Sequence, residues 1–210
     1  MLKPLMLVLA GLALPGLASA QSLVEGEHYE VLPEPLETRV EEGQIAVTEA
    51  FWYGCPHCYN LEEPLNAWVA ELPDDVSFQR MPATMGGDWN QHALAFYAAE
   101  ELGILDVIHD DFFHAIHEEG RSLTGNAEIA EFFSDYGVSE EEAQQALGSF
   151  AVKSQVNQAN SRMRKMRLMG VPALIVDGRY LVSPSSAGSL ANMPQIAEAL
   201  VGKVREERED

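Results

Sequence analysis

Residues 51–58 have the sequence FWYGCPHC and contain Cys55 and Cys58, the two cysteines of the 210-residue chain. Two cysteines separated by two residues can close a small disulfide ring or open to a dithiol. A structural disulfide stabilises more when it closes a longer loop, so this ring gains little as a staple. A zinc site needs about four ligands, and no second cysteine pair exists. The spacing therefore favours a redox-active pair over an inert staple or a metal site.

The first 20 residues are typical of a cleavable secretory signal peptide. Lys3 gives a positive start, an apolar run follows over 5–17, and ASA at 18–20 fits the cleavage pattern before Gln21. Gly and Pro interrupt this short run, so we prefer a signal peptide to an uncleaved membrane anchor. Export implies an oxidising compartment in which disulfides persist.

The chain is strongly acidic, with 33 Asp and Glu against 13 Lys and Arg and a net charge of −20. Such a charge argues against nucleic acid as a partner, because binding phosphates requires Lys and Arg. It supports solubility and says little about the fold. About 190 residues remain after cleavage, a length that suits one compact domain or one domain carrying an insertion.

The aromatic residues before the cysteines end a predicted strand over 45–52, which is rich in β-branched and aromatic side chains. Glu49 lies inside this strand, where a carboxylate is costly unless it is paired or protonated. Apolar residues recur at helical spacing after the cysteines and predict a helix over 56–71. Alternating residues over 76–81 predict a second strand.

The middle of the chain lacks strand patterns and carries successive helical ones. The predicted helices cover 92–102, 106–117, 126–136, a segment opened by the capping box at 139–142, and 150–169. Strand patterns return at 172–176 and 179–182, joined by the turn signal DG at 177–178. A last helix is predicted over 193–204, with a frayed end at 205–210.

Several motifs occur together in this order. CPHCY at 55–59 follows the aromatic strand, and GVPA at 170–173 lies far downstream. Glu49 stands six residues before the first cysteine, and MGGD at 85–88 and SFAVKS at 149–154 lie between the two main motifs. With these motifs the chain resembles the DsbA family of bacterial periplasmic disulfide oxidoreductases over most of its length.

The resemblance implies an α/β fold, namely a thioredoxin fold with an inserted all-helical domain. The thioredoxin-like domain would comprise residues 21–83 and 160–210. The inserted helical domain would comprise residues 84–159, and residues 1–20 would be removed on export.

The resemblance also implies an activity, the donation of the Cys55–Cys58 disulfide to newly exported proteins in the periplasm. A membrane partner of the DsbB type would reoxidise the enzyme with quinone. The protein's own disulfide does the chemistry, so we expect no cofactor, no metal and no nucleic acid, and we expect a monomer. The partners would be reduced or unfolded exported proteins. A reductase or isomerase on the same fold stays open, as does a peptide-binding holdase whose cysteines are incidental.

The residues of the CPHC motif have distinct predicted roles. Cys55 at a helix N-terminus is expected to have a lowered pKa, because unsatisfied N–H groups and the helix dipole favour a thiolate. Cys58, one turn inward, is the predicted buried resolving thiol. Pro56 presets the backbone at the first helical position. His57 is expected to stabilise the thiolate by charge or hydrogen bonding, with an incidental exposed histidine as the alternative.

Three residues outside the motif complete the predicted site. The resemblance makes Pro172 a cis proline beside the active site, the alternative being an ordinary trans strand start. Val171 would then offer its backbone to an extended substrate. Glu49 is a candidate proton relay for Cys58, or else a structural buried acid. Its charge partner is open, since family members can carry a Lys where residues 79–80 of this chain are Gln and Arg.

Two further groups of polar residues carry weaker signals. Asp110, His114 and His117 share a helical face with metal-like spacing, but solvated or capping side chains explain them better. The basic cluster at 162–167 suits the negative end of a helix dipole. We interpret it as a solvated face, with a docking role as the alternative.

Overall fold

A computed structural model of the chain describes residues 23–209, so the predicted signal peptide lies outside the described residues. The strands are β1 (Glu30–Val31), β2 (Ile45–Phe51), β3 (Val76–Pro82), β4 (Ala173–Val176) and β5 (Tyr180–Val182). They form one sheet in the order β1-β5-β4-β2-β3. The β2–β3 pair is parallel and the other pairs are antiparallel.

β2 is a central strand, and every one of its residues is buried. Because a parallel neighbour requires a crossover connection, the chain passes through a helix between β2 and β3. The residues that leave the end of β2 therefore enter this helix directly, and they include both cysteines.

The helices are α1 (Pro56–Val69), α2 (Gly87–Glu101), α3 (Leu105–His117), α4 (Asn126–Ser134), α5 (Glu140–Gly148), α6 (Phe150–Met166), α7 (Pro184–Ala187) and α8 (Met193–Glu209). The predicted capping box is present at the start of α5, where the side chains of Ser139 and Glu142 each bond the other's backbone N–H. The predicted thioredoxin fold with an inserted helical block is thus confirmed. None of the helices within residues 23–209 is both long and apolar enough to cross a bilayer.

The helical block has an apolar core of its own that reaches the cysteines. Phe112 and Phe113 of α3 are fully buried in it. The ring of Tyr53 lies 4.5 Å from that of Phe112 and 4.8 Å from that of Phe113. Cys55 and Cys58 belong to the same buried cluster. The cysteine motif therefore lies where the sheet and the helical block meet.

α6 links the helical block to the sheet. Val152 near its start is buried in the core of the block, whereas Ala159 and Met163 pack with sheet residues such as Met81 and Ala173. The predicted division into 21–83, 84–159 and 160–210 stays a prediction, and its last boundary falls within this continuous helix.

Two helices end three or more residues away from the predicted position, whereas the other predicted C-terminal ends differ by no more than two residues. α6 stops three residues early, because Arg167 adopts a left-handed conformation with φ 53° and the backbone then leads to Val171. α8 continues beyond 204 because distant groups hold its last turns. Arg205 makes two hydrogen bonds to Asp75, of 2.7 and 2.9 Å, and Arg208 contacts Asp177 at 2.9 Å.

Candidate active site

The turn after β2 places Cys55 at the start of α1. The Cys55 N–H donates to the carbonyl of Trp52 at 2.9 Å, and the Cys55 carbonyl accepts the first helical bond from Tyr59 at 3.1 Å. Cys55 is the N-cap residue, in extended conformation, and Pro56 follows as the first helical residue. The first turn of α1 holds no acidic residue. The predicted positions of Cys55 and Pro56 are confirmed, and the positive end of the helix faces the Cys55 sulfur.

The environment of Cys55 favours its thiolate and lowers the pKa of the thiol to about 6. The largest cause is a hydrogen bond from the Cys58 thiol. The backbone N–H groups of Cys58 and His57 and the charge of His57 lower the pKa further, although no full capping hydrogen bond closes. Burial opposes these effects and raises it. At pH 7, above this pKa, the thiolate is therefore the favoured form of Cys55.

Cys58 has the opposite properties. Its side chain is fully buried, and burial raises its pKa far above that of an ordinary thiol. The hydrogen bond to Cys55 and the charges of Cys55 and Glu49 raise it further. Both cysteines are free thiols in this structure. The pair thus consists of Cys55, which favours the thiolate and lies nearer the surface, and Cys58, which is fully buried and neutral.

The peptide bond between Val171 and Pro172 is cis, as the resemblance implied. The Cys55 sulfur lies 3.6 Å from the carbonyl oxygen of Val171, to which a neutral Cys55 thiol donates. Val171 precedes β4 and is partly exposed, so its backbone borders the reactive sulfur. Two exposed apolar side chains are close to these elements in sequence. Met169, which is 91% exposed, precedes Val171 by two residues, and Met85, which is 44% exposed, follows the end of β3 by three residues.

Aromatic rings fix the turn before Cys55. The indole of Trp52 stacks on that of Trp89, with centroids 4.2 Å apart and planes within 10°. A Cβ on Gly54 would lie 2.4 Å from the Trp52 ring, so only glycine fits between this ring and Cys55. The sequence showed an aromatic run but gave no sign that one ring covers the glycine.

His117 also contacts the site, contrary to its interpretation as a solvated or capping residue. Its Nε2 donates to the carbonyl of Tyr53 at 2.7 Å, and its ring stacks on Tyr59 at 4.9 Å. His114 does remain exposed, 3.4 Å from Glu119. Spacing along α3 could not reveal which of these histidines faces the thioredoxin-like part.

Glu49 is fully buried. Its charge partner, which the sequence did not determine, is Arg80. The two residues are register partners across β2 and β3, and Arg80 Nε lies 3.2 Å from Glu49 Oε2. This contact is an ion pair without hydrogen-bond alignment. Arg80 also reaches Glu62 of α1, with Nη2 3.1 Å from Oε2.

The buried polar contacts continue into the helical block, where burial lowers the pKa of His109 and favours its neutral form. His109 Nε2 lies 3.5 Å from Glu62 Oε2, and His109 Nδ1 lies 2.8 Å from the Tyr53 hydroxyl. Sequence reasoning missed both Glu62 and His109. Glu62 had a usable signal, because it follows Cys58 by four residues and so shares its helix face. His109 had none, because it comes from a different part of the fold.

Burial and neighbouring charges give the carboxyl groups of Glu49 and Glu62 different pKa values. Burial raises the pKa of Glu49 well above its usual range, the charge of Glu62 adds to this, and Arg80 opposes it. Burial also acts to raise the pKa of Glu62, but bonds from His109 and Arg80 outweigh it and lower the value. Glu49 is thus the carboxyl group that can hold a proton beside Cys58.

One group of side chains within residues 23–209 has donor atoms close enough to share a metal ion. Glu62, His109 and Asp110 place such atoms within 4.8 Å of one another. The guanidinium of Arg80 already contacts Glu62 at 3.1 Å and would oppose a cation. The residues therefore fit a buried ion-pair network better than a metal centre.

The thiolate can be titrated directly. We expect the ultraviolet thiolate absorbance of the reduced protein to rise with a midpoint near pH 6, because Cys55 has a pKa of about 6. The amplitude should correspond to one thiolate, since burial keeps Cys58 protonated. A single midpoint close to pH 8.5, the value of a free cysteine, would contradict this description of the site.

Comparisons with known proteins agree with the fold and the site. A family model described as a DSBA-like thioredoxin domain matches residues 76–201, after both cysteines. The thiol:disulfide interchange protein DsbA of Azotobacter vinelandii is 40% identical over 204 residues, covering 94% of this chain and 95% of that protein. The crystal structure of Pseudomonas aeruginosa DsbA has a TM-score of 0.85 at 36% identity, covering 91% of this chain and 99% of that one.

The DsbA oxidoreductase of Xylella fastidiosa is also similar, with a TM-score of 0.83 and 33% identity over 88% of this chain and 98% of that one. The family match does not include the cysteines, so their geometry is separate evidence. By sequence, by fold and by the chemistry of its two thiols, the chain belongs to the DsbA family of thiol:disulfide oxidoreductases.

Proposed function

We propose that this chain is a periplasmic oxidant that donates the Cys55–Cys58 disulfide to newly exported proteins. The observation that carries the proposal is the lowered pKa of Cys55, about 6, at the start of α1. A stabilised thiolate favours the reduced enzyme, and this makes the disulfide form a strong oxidant. In this proposal Pro56 holds the helix start, and His57 contributes the charge that favours the thiolate.

The reaction balances as two thiol exchanges. A substrate thiolate attacks the Cys55 sulfur, which breaks the Cys55–Cys58 bond and leaves Cys58 with the electron pair. A second substrate thiolate then attacks the substrate sulfur of the mixed disulfide. Cys55 leaves as a stable thiolate, and the substrate, having lost two electrons, carries the new disulfide. A low pKa makes Cys55 a good leaving group in this second step.

Glu49 is proposed as the proton relay for the buried thiol. Cys58 needs a proton when it leaves and must lose one when it attacks again during reoxidation. Its raised pKa means that the buried anion cannot persist. A carboxyl group whose own pKa is raised by burial can give and take that proton.

The substrate would bind along the edge beside the reactive sulfur. Val171 and Pro172 supply this edge, and an extended polypeptide can pair with the Val171 backbone as an added strand. The partners would be reduced exported proteins and a DsbB-type membrane protein that restores the disulfide with quinone. The enzyme would act as a monomer without a bound cofactor, because the disulfide itself carries the electrons.

Equilibration with glutathione tests the oxidant against its rivals. We expect a potential more oxidising than the value of about −180 mV typical of a disulfide isomerase. The physical reason is that the lowered pKa of Cys55 stabilises the reduced form of the enzyme. A potential below about −230 mV would instead support a reductase. Faster repair of a scrambled disulfide protein than oxidation of a reduced one would support an isomerase.

A further inference from the structure

The positive charges of this acidic chain are unevenly distributed. Residues 143–176 contain five basic side chains and no Asp or Glu, although the whole chain has a net charge of −20. Four of the five fall within residues 162–167. This segment covers α6 and the approach to the cis proline. The longest stretch without acidic residues therefore leads directly to the active site.

Arg164, Lys165 and Arg167, which we call the basic rim, are exposed at the end of α6. Arg167 precedes Val171 by four residues. At no more than about 3.6 Å per residue, their Cα atoms lie within about 14 Å of each other. Met169, which is 91% exposed, lies between them. The rim is thus within reach of a polypeptide that binds beside Cys55.

The rim groups three exposed basic residues that have no acidic partner within residues 23–209. Arg39 and Lys153 are exposed without such a partner as well, but each donates to a neutral group instead, Gln158 and the Gly148 carbonyl. Several partly exposed basic residues are paired. Arg179 and Lys203 both pair with Glu207, and Arg205 pairs with Asp75. The rim residues form no ion pair with any residue between 23 and 209. Stabilisation of the helix end accounts for cations in its last turn, but it does not require neighbours free of carboxylates. The arrangement leaves three positive charges available to a partner.

We propose that the basic rim binds an acidic segment of the substrate polypeptide beside the Val171 edge. This inference rests on the proposed oxidation of exported proteins and names a class of substrate, polypeptides with Asp or Glu near a cysteine. An extended chain advances about 3.3 Å per residue, so no more than about five residues span the separation between Arg167 and Val171, whose carbonyl borders the Cys55 sulfur. A net charge of −20 repels acidic polypeptides elsewhere, and a local positive patch steers them to the site.

An anionic membrane surface is the competing partner, and charge argues against it. A short polypeptide meets only the local field around the rim, within a Debye length of about 8 Å at physiological salt. A membrane would face a much larger part of the acidic protein and be repelled by it. The position of the rim next to the substrate edge also favours a polypeptide.

The test compares two triple variants of equal charge. One is Arg164→Gln/Lys165→Gln/Arg167→Gln. The control is Lys153→Gln/Arg179→Gln/Lys203→Gln, whose residues lie at the start of α6, at the hairpin turn and on α8. Each oxidised protein reacts with dithiol peptides that share one core and carry acidic or neutral flanks on either side. Affinities are measured in parallel for the same peptides with serine in place of cysteine.

We expect the rim variant to lower the ratio of kcat/KM between acidic and neutral peptides about tenfold at low salt. The control variant should leave this ratio unchanged, and the effect should vanish near 1 M salt, where the Debye length is about 3 Å. The ratio of affinities should fall in the same way. Because affinity is measured without chemistry, it tests the rim even if the chain oxidises none of the peptides.

Equal ratios for the two triple variants would overturn the proposal. Binding to phosphatidylglycerol vesicles that is lost in the rim variant alone, with unchanged peptide ratios, would assign the rim to lipid instead. Failure of the wild-type protein to oxidise any peptide, with a charge-dependent affinity intact, would reject the proposed function and retain the rim.

Discussion

Replacing Cys55 by serine is expected to reduce the oxidation of a dithiol peptide at least about a thousandfold, to the rate without enzyme. A serine oxygen cannot form the disulfide that accepts the substrate electrons. The fold should survive, because serine replaces Cys55 with a side chain of nearly the same size at the start of α1, where 9% of the residue surface stays exposed. Peptide oxidation followed by thiol labelling, together with circular dichroism, checks both statements. Full activity of this variant would support a holdase with incidental cysteines.

Cys58 supplies the second sulfur of the disulfide and a hydrogen bond to the Cys55 sulfur, and two substitutions separate these contributions. Cys58→Ser also loses the transferable disulfide, but its Cys55 thiolate can still attack an oxidised peptide, and the mixed disulfide that forms has no resolving thiol in the enzyme. With glutathione disulfide in excess, the leaving glutathione thiol diffuses away, so mass spectrometry should detect a glutathione adduct that persists in Cys58→Ser and is lost in the wild type, where Cys58 expels the glutathione. The serine hydroxyl can still donate to the Cys55 sulfur, whereas alanine cannot. Since that bond is the largest cause of the lowered pKa, we expect a higher Cys55 pKa in Cys58→Ala than in Cys58→Ser.

Local patterns were sufficient to predict much of this site. The aromatic strand, the helix that begins after Cys55 and the hairpin at Asp177–Gly178 all depend on neighbouring residues. At Gly178, for example, φ is 64° and a Cβ would lie 2.3 Å from the Leu36 carbonyl oxygen, which explains the glycine. The cis peptide bond before Pro172 is predicted by the family resemblance and not by the neighbouring residues.

Contacts between distant segments were the part that sequence could not supply. Arg80 meets Glu49 only because β2 and β3 pair in one register out of several possible ones. His109 reaches Tyr53 only after the helical block has packed against the sheet. The end of α8 was placed wrongly for the same reason, since its partner Asp75 is 130 residues away from Arg205. Such contacts depend on the assembled fold, which a periodicity does not encode.

The second large effect concerns the buried ion pairs. Arg80→Met is expected to lower the free energy of unfolding by about 3–5 kcal/mol at pH 7, because it leaves the buried side chains of Glu49 and Glu62 without their cation. Glu49 is fully buried and Glu62 is 7% exposed, so water cannot replace the guanidinium. Denaturant unfolding of the reduced protein measures the change. Arg205→Met is the matched control, since its partner Asp75 is on the surface, where solvent screens the pair and the expected cost is much smaller.

The pH dependence identifies the cause of this loss. Arg80 lowers the pKa of both Glu49 and Glu62, so its removal raises both values in the folded protein. A carboxyl group whose folded pKa exceeds its unfolded value destabilises the fold as the pH rises through that range. The deficit of Arg80→Met relative to wild type should therefore be smaller at pH 5 than at pH 8. A deficit independent of pH would instead indicate lost packing of the arginine stem, and the double variant Glu49→Leu/Arg80→Leu would then recover no stability.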